Sequence, residues 1–115
     1  MNEKQLRAIY TMLRAFHPFN RWGLPPSEKV RFYLLVDEDL AQFSLDDDGK
    51  MYIAINPDKH LTLQQAIESV AHEMVHMRQE MLERLSDNPA KHHNADFRRM
   101  AKSVCRSLGF DIQRF

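Results

Sequence analysis

Thr62-Leu63-Gln64-Gln65 is a capping-box pattern, and it opens the longest stretch of helical apolar spacing in the chain, with Ile67, Val70, Met74 and Met81 in step. The spacing predicts a helix over residues 63–86, closed by Ser86, Asp87, Asn88 and Pro89. That helix carries His72-Glu73-Met74-Val75-His76. Histidines four apart project from one face, one turn from each other, so both can bind a single metal ion at about 2.0–2.1 Å. On a wheel of about 100° per residue, the apolar stripe lies roughly 140–220° from His72, which sets the pair apart from the expected core face. Glu73, between the two, swings to the side, where it can reach a metal-activated water without filling a coordination position.

Those residue types suit hydrolysis. Zinc lowers the pKa of a bound water toward about 7 and polarises a carbonyl, while a carboxylate removes the proton and later returns it to the leaving amine. Such a centre needs a third protein ligand and an open fourth position. His93, 17 residues beyond His76, is the best candidate, and Phe97 one turn later would pack inward and fix its approach. His92, Asp96 and Glu80 are the rivals, and three imidazoles suit other divalent ions besides zinc. His17 and His60 read as structural or surface residues, and Cys105 as a buried, inert thiol.

Around this helix the pattern is α+β. Residues 3–16 form a predicted helix capped by Asn2, with Leu6, Ile9, Tyr10, Leu13 and Phe16 as its core face. Pro18, Gly23, Pro25 and Pro26 break the chain, and Trp22 among them reads as a packing anchor. Residues 30–36 alternate as a strand, with Val30, Phe32, Leu34 and Val36 on one face. Residues 42–45 and 51–55 read as a hairpin across Asp46-Asp47-Asp48-Gly49, ended by Asn56-Pro57. A last helix over residues 95–108 buries Phe97, Met100, Ala101, Val104 and Leu108, exposes Arg98, Arg99, Lys102 and Arg106, and stops at Gly109. The expectation is one domain over residues 1–115: helix, small antiparallel sheet, then two helices.

Composition narrows the setting. Sixteen basic and sixteen acidic residues cancel, so no overall charge favours a polyanion, although the basic face of the last helix makes nucleic acid a possible partner. The single cysteine rules out an intrachain disulfide and fits a reducing compartment. The first residues lack the apolar core of a signal peptide, and no apolar run approaches the roughly 20 residues of a membrane span. The expected address is cytoplasmic, with no membrane partner.

Three segments resemble the SprT-like family of zinc metallopeptidases, which includes the protease domain of Spartan-type proteins. Tyr52-Ile53-Ala54-Ile55-Asn56-Pro57 resembles the strand before the family's active-site helix. Ala71-His72-Glu73-Met74-Val75-His76 matches its metal-binding helix. His93-Asn94-Ala95-Asp96-Phe97 resembles its His-Gly-x-x-Phe segment, with Asn94 where glycine is usual. The likeness spans roughly residues 28–110 and implies a zincin-like, minigluzincin-type fold. It also implies His72, His76 and His93 as zinc ligands, Glu73 as general base, and a protein or peptide substrate. One cysteine cannot build the four-cysteine zinc ribbon that follows the domain in many relatives, so the expectation is a minimal form. The expected activity is endopeptidase action on an extended substrate added beside residues 51–55. The alternative is a non-catalytic metal-binding or nucleic-acid-associated protein that keeps the zincin fold.

Overall fold

A computed structural model describes residues 1–60, 62–85 and 87–115. Its first helix, α1 (Glu3–Arg14), begins where Asn2 and Gln5 cap each other reciprocally at 2.9 Å, satisfying two otherwise orphan amides. Leu6, Ile9, Tyr10 and Leu13 face the core as their spacing requires. Ala15 ends the helix before Phe16, which is 49% exposed and does not join that face. Trp22 packs edge-on against buried Phe19, centroids 5.1 Å apart, and anchors the proline-rich connection.

Three strands follow: β1 (Arg31–Leu34), β2 (Ala41–Leu45) and β3 (Met51–Ile55). β2 and β3 form the expected antiparallel hairpin, with Leu45 opposite Met51. Asp46 and Gly49 close its turn, and Gly49 adopts the positive φ of 83° that side chains disfavour. The sheet as a whole is mixed rather than antiparallel. Its order is β1-β3-β2, and β1 runs parallel to β3 with Phe32 opposite Ile53. Residues 35–40 carry the chain across so that β2 lands on the far side of β3 from β1. Alternating hydrophobicity reports which face of a strand is buried, but not which neighbour it pairs with or in which direction. Val36 is correspondingly beyond the strand and 70% exposed.

The consequence for function is a correction. β3 is the central strand, hydrogen-bonded on both sides, so residues 51–55 offer no edge to an incoming chain. The edges among the described residues belong to β1 and β2.

Helix α2 (Leu63–Met81) starts at the predicted capping box, Thr62 and Gln65 bonding reciprocally at 3.0 and 3.1 Å. It packs against α1, β2, β3 and the last helix, α3 (Ala95–Leu108). It is therefore buried on most of its circumference rather than along one stripe. Val70, Ala71, Met74, Val75 and Met77 are fully buried; each larger one contributes about 1.5–3 kcal/mol by leaving water. Ile67 and Met81, expected in the core stripe, are only partly buried.

α2 also stops five residues earlier than its spacing suggests. Glu83 takes a left-handed φ of 56°, Glu83 N–H bonds to Glu80 O at 2.9 Å and Arg84 N–H to Gln79 O at 2.8 Å. This is a Schellman stop built on a residue other than glycine, and so it leaves no mark in the sequence. The predicted stop at Ser86 lies outside the described residues. α3 has the expected bounds; the Asn94 side chain accepts the Phe97 amide at 3.0 Å and starts it. Its apolar face docks on α2, and Cys105 is buried, with burial pushing its thiol pKa up. No helix among the described residues is long and apolar enough to cross a membrane.

Candidate metal centre

Docking α3 on α2 brings His93, in the turn before α3, against the two histidines of α2. His93 Nε2 lies 3.0 Å from His72 Nε2 and 3.2 Å from His76 Nε2. All three candidate ligand atoms fall within 4.8 Å of one another. Two nitrogens each about 2.05 Å from a tetrahedral ion would stand roughly 3.3 Å apart, so these separations fit a shared cation. Among the described residues, His92, Asp96 and Glu80 do not belong to this group. Asp96 is instead paired with Arg99 and Arg84.

Each α2 histidine is turned by a partner on its other ring nitrogen. The Phe115 main-chain oxygen meets His72 Nδ1, and since a carbonyl oxygen only accepts, the proton must sit on Nδ1. His76 Nδ1 lies 2.8 Å from Gln79 Oε1. The orientation of that amide is fixed in turn. Gln79 Nε2 faces Asn94 Oδ1 and Asp96 Oδ2, both at 3.5 Å, and a carboxylate can only accept, so the amide nitrogen belongs there and its oxygen toward His76. With both Nδ1 atoms protonated, both Nε2 lone pairs point into the cluster. Outward hydrogen bonds of this kind are what set the tautomer of a metal-ligating imidazole.

Electrostatics keep the rings neutral. Burial lowers the His72 pKa to about 4, with His93 adding repulsion. Burial likewise lowers His76 to about 3, opposed by the hydrogen bond with Gln79 and helped by His72, His93 and His92. His93 is lowered for the same reasons, burial first and then His92. Neutral imidazoles present lone pairs to a cation rather than repelling it. Phe97 holds the three rings together: it stacks on His76 at 4.7 Å and touches His72 and His93 at 4.9 and 4.7 Å.

Glu73 is buried on the adjoining side of α2 and opens on a cavity of about 480 Å³ that His72, His93, Leu40 and Ala41 also line. Burial raises its pKa to about 8, the Asp39 carboxylate adds to the rise, and the Phe43 backbone amide opposes it. In the same wall His60 joins Asn56 O at 2.6 Å to Ser69 Oγ at 2.8 Å, tying the end of β3 to the first half of α2. His60 is thus buried and structural, and His17 is exposed.

Sequence reasoning misses Gln79, Phe115 and the His60–Ser69 link. Gln79 has a usable signal. Ser69, Glu73, His76 and Gln79 recur every three or four residues as a buried polar stripe on a helix covered on most of its circumference, which an ordinary core helix does not carry. Phe115, 43 positions from His72, has none. No family model, curated protein or solved structure matches the chain.

Proposed function

We propose that this chain is a zinc-dependent endopeptidase of SprT-like type on a zincin-like, minigluzincin-type fold, hydrolysing protein or peptide substrates. The observation that carries the reading is the convergence of three neutral imidazoles beside a buried carboxylate at a cavity large enough for a peptide segment. His72, His76 and His93 would hold the ion. Zinc, when bound, supplies Lewis acidity that polarises a carbonyl and acidifies water.

The chain's own residues account for the rest. Glu73 takes a proton from water and returns it to the leaving nitrogen. Its carboxyl pKa near 8 makes it a weak acid without a cation, and a cation held by the neutral histidines would favour the ionised, basic form. β2 supports substrate alignment. Asn56 N–H to Leu40 O and Asp46 N–H to Lys50 O bracket that strand, so its even-numbered residues bond to β3. Ala41, Phe43 and Leu45 then direct their backbone groups to the open edge. Ala41 and Leu40 line the cavity, and the Phe43 amide acts on Glu73, so a peptide added at this edge would pass over the site. Backbone-led binding of that kind implies broad sequence preference.

The test uses protein purified without added metal and assayed for metal content and for peptide or casein cleavage. Glu73→Gln should retain the metal and lose cleavage by about 10²–10⁴-fold, the range for removing a general base. Cleavage at the parent rate by that variant would remove Glu73 from the mechanism.

A further inference from the structure

Beyond α3 the chain doubles back. Gly109, at a left-handed φ of 76°, and Phe110 both bond through their amides to Cys105 O, at 2.9 and 3.1 Å. This sends residues 110–115 across the face of α2. A turn closed by Arg114 N–H to Asp111 O at 3.0 Å then aims the last two side chains at that helix. Arg114 Nη2 reaches both oxygens of Glu68, at 2.5 and 2.8 Å. The Phe115 ring lies 5.2 Å from His72, 6.1 Å from Phe110 and 6.3 Å from Phe97. Its main-chain oxygen accepts a hydrogen bond from His72 Nδ1–H.

Glu68 and His72 are four residues apart on α2, so the ion pair and the hydrogen bond grip consecutive turns of one face. The grip is directional. Phe115 O meets the ring nitrogen that points away from the cluster, and so leaves His72 Nε2 facing His93 rather than competing for it. His93 comes from just before α3 and this strap from just after it, so the two ends of one helix deliver a ligand and a ligand's support to α2.

We infer that docking of residues 110–115 positions His72 for metal capture, with Arg114 and Phe115 as positioning residues, so that strap docking and metal binding are one coupled equilibrium. The inference rests on the metal-centre reading above and adds its control. When the strap lifts, the His72 ring is free to rotate and its proton to move to Nε2, which blocks the lone pair. Removing an outer hydrogen-bond partner of a ligating histidine costs about 10–100-fold in metal affinity. By reciprocity, metal binding must favour the docked strap by the same factor. The core cluster is built by α1, the sheet, α2 and α3; Phe110 and Phe115 pack on its margin as partly buried rings, and an exposed arginine paired with a carboxylate adds little to stability. The strap can therefore loosen while the domain stays folded.

The experiment measures zinc affinity of the full chain by competition with a chromogenic chelator, with circular dichroism to confirm folding. Hydrogen exchange of residues 110–115 is followed with and without zinc. Arg114→Ala should bind zinc about 10–100-fold more weakly and exchange faster in the strap. Zinc should slow that exchange in the parent. The exchanged pair Glu68→Arg with Arg114→Glu should recover most of the affinity, which separates docking from the mere presence of arginine. Should Arg114→Ala not fold, Glu68→Gln carries the same expectation from the other side of the pair. A folded Arg114→Ala with a loosened strap and parental zinc affinity overturns the coupling alone. A parent chain that takes up no zinc overturns the metal centre and the coupling with it.

Discussion

Replacing Gln79 by leucine removes the oxygen that accepts the His76 Nδ1 proton while keeping most of the volume of a side chain that is 0% exposed. In the metal-free protein, two outcomes compete. Either Nδ1–H stays buried without a partner, at about 1–3 kcal/mol, or the proton moves to Nε2. The second escape turns the lone pair away from His93 and must be reversed before a cation can bind. Both routes penalise binding, and the expected loss of metal affinity is about 10–100-fold, equivalent to about 1.4–2.7 kcal/mol. Leucine also abandons the contacts to Asn94 and Asp96 at 3.5 Å, and Asn94 caps α3, so His93 is less firmly presented. The assay is chelator competition with zinc or cobalt, paired with urea unfolding of the metal-free protein. If the variant is folded and its affinity stays within about threefold of the parent, then Gln79 does not set the His76 tautomer and the argument from amide orientation is wrong.

Three other perturbations test the fold independently of metal. Glu83→Gly should stabilise the protein by about 1 kcal/mol, seen as a rise of about 4 °C in Tm, because glycine relieves a left-handed side-chain residue at the α2 stop; a fall in Tm would refute this. Asp46 and Asp48 are both held below their ordinary 3.8, chiefly by hydrogen bonds from Arg31, with the Tyr33 hydroxyl and the Lys50 amide adding to it. Depressed carboxylates contribute stability that is present above the unfolded value and lost as pH falls through the folded one, so Arg31→Gln should narrow the gap to the parent below pH 3.8. An equal gap in urea unfolding at pH 6 and pH 2.5 would sink that claim. Cys105, buried and with its thiol pKa raised, should react with a thiol reagent only after denaturation; rapid labelling of the native protein would contradict its burial.

Much of this protein is legible in the order of its residues, wherever the information sits within one or two helical turns. The Asn2 cap, the Thr62–Gln65 capping box, the bounds of α3, the β2–β3 hairpin and the shared face of His72 and His76 follow from local spacing and local hydrogen-bonding chemistry. The convergence of His93 is reachable as a preference, because a metal site needs a third ligand and a histidine stands one turn before an inward-facing aromatic residue. Atypical local features defeat such reading. The α2 stop uses glutamate in a glycine conformation, so apolar spacing alone makes the helix too long, and Phe16 and Val36 continue patterns that their elements have already left.

What only the tertiary structure decided is who lies beside whom across long separations. Parallel pairing of β1 with β3 made the sheet mixed, and the order β1-β3-β2 put residues 51–55 in its centre and left β2 an open edge. Burial of α2 from several sides drew Glu73, His76 and Gln79 out of water and shifted the protonation of the first two. The strap that brings Phe115 to His72 joins residues 43 apart. The sequence by itself determined which groups could act together on one helix, because the α-helix has a fixed pitch. Pairing between segments depends on the balance of burial and chain entropy over the whole molecule, and no fixed spacing records it.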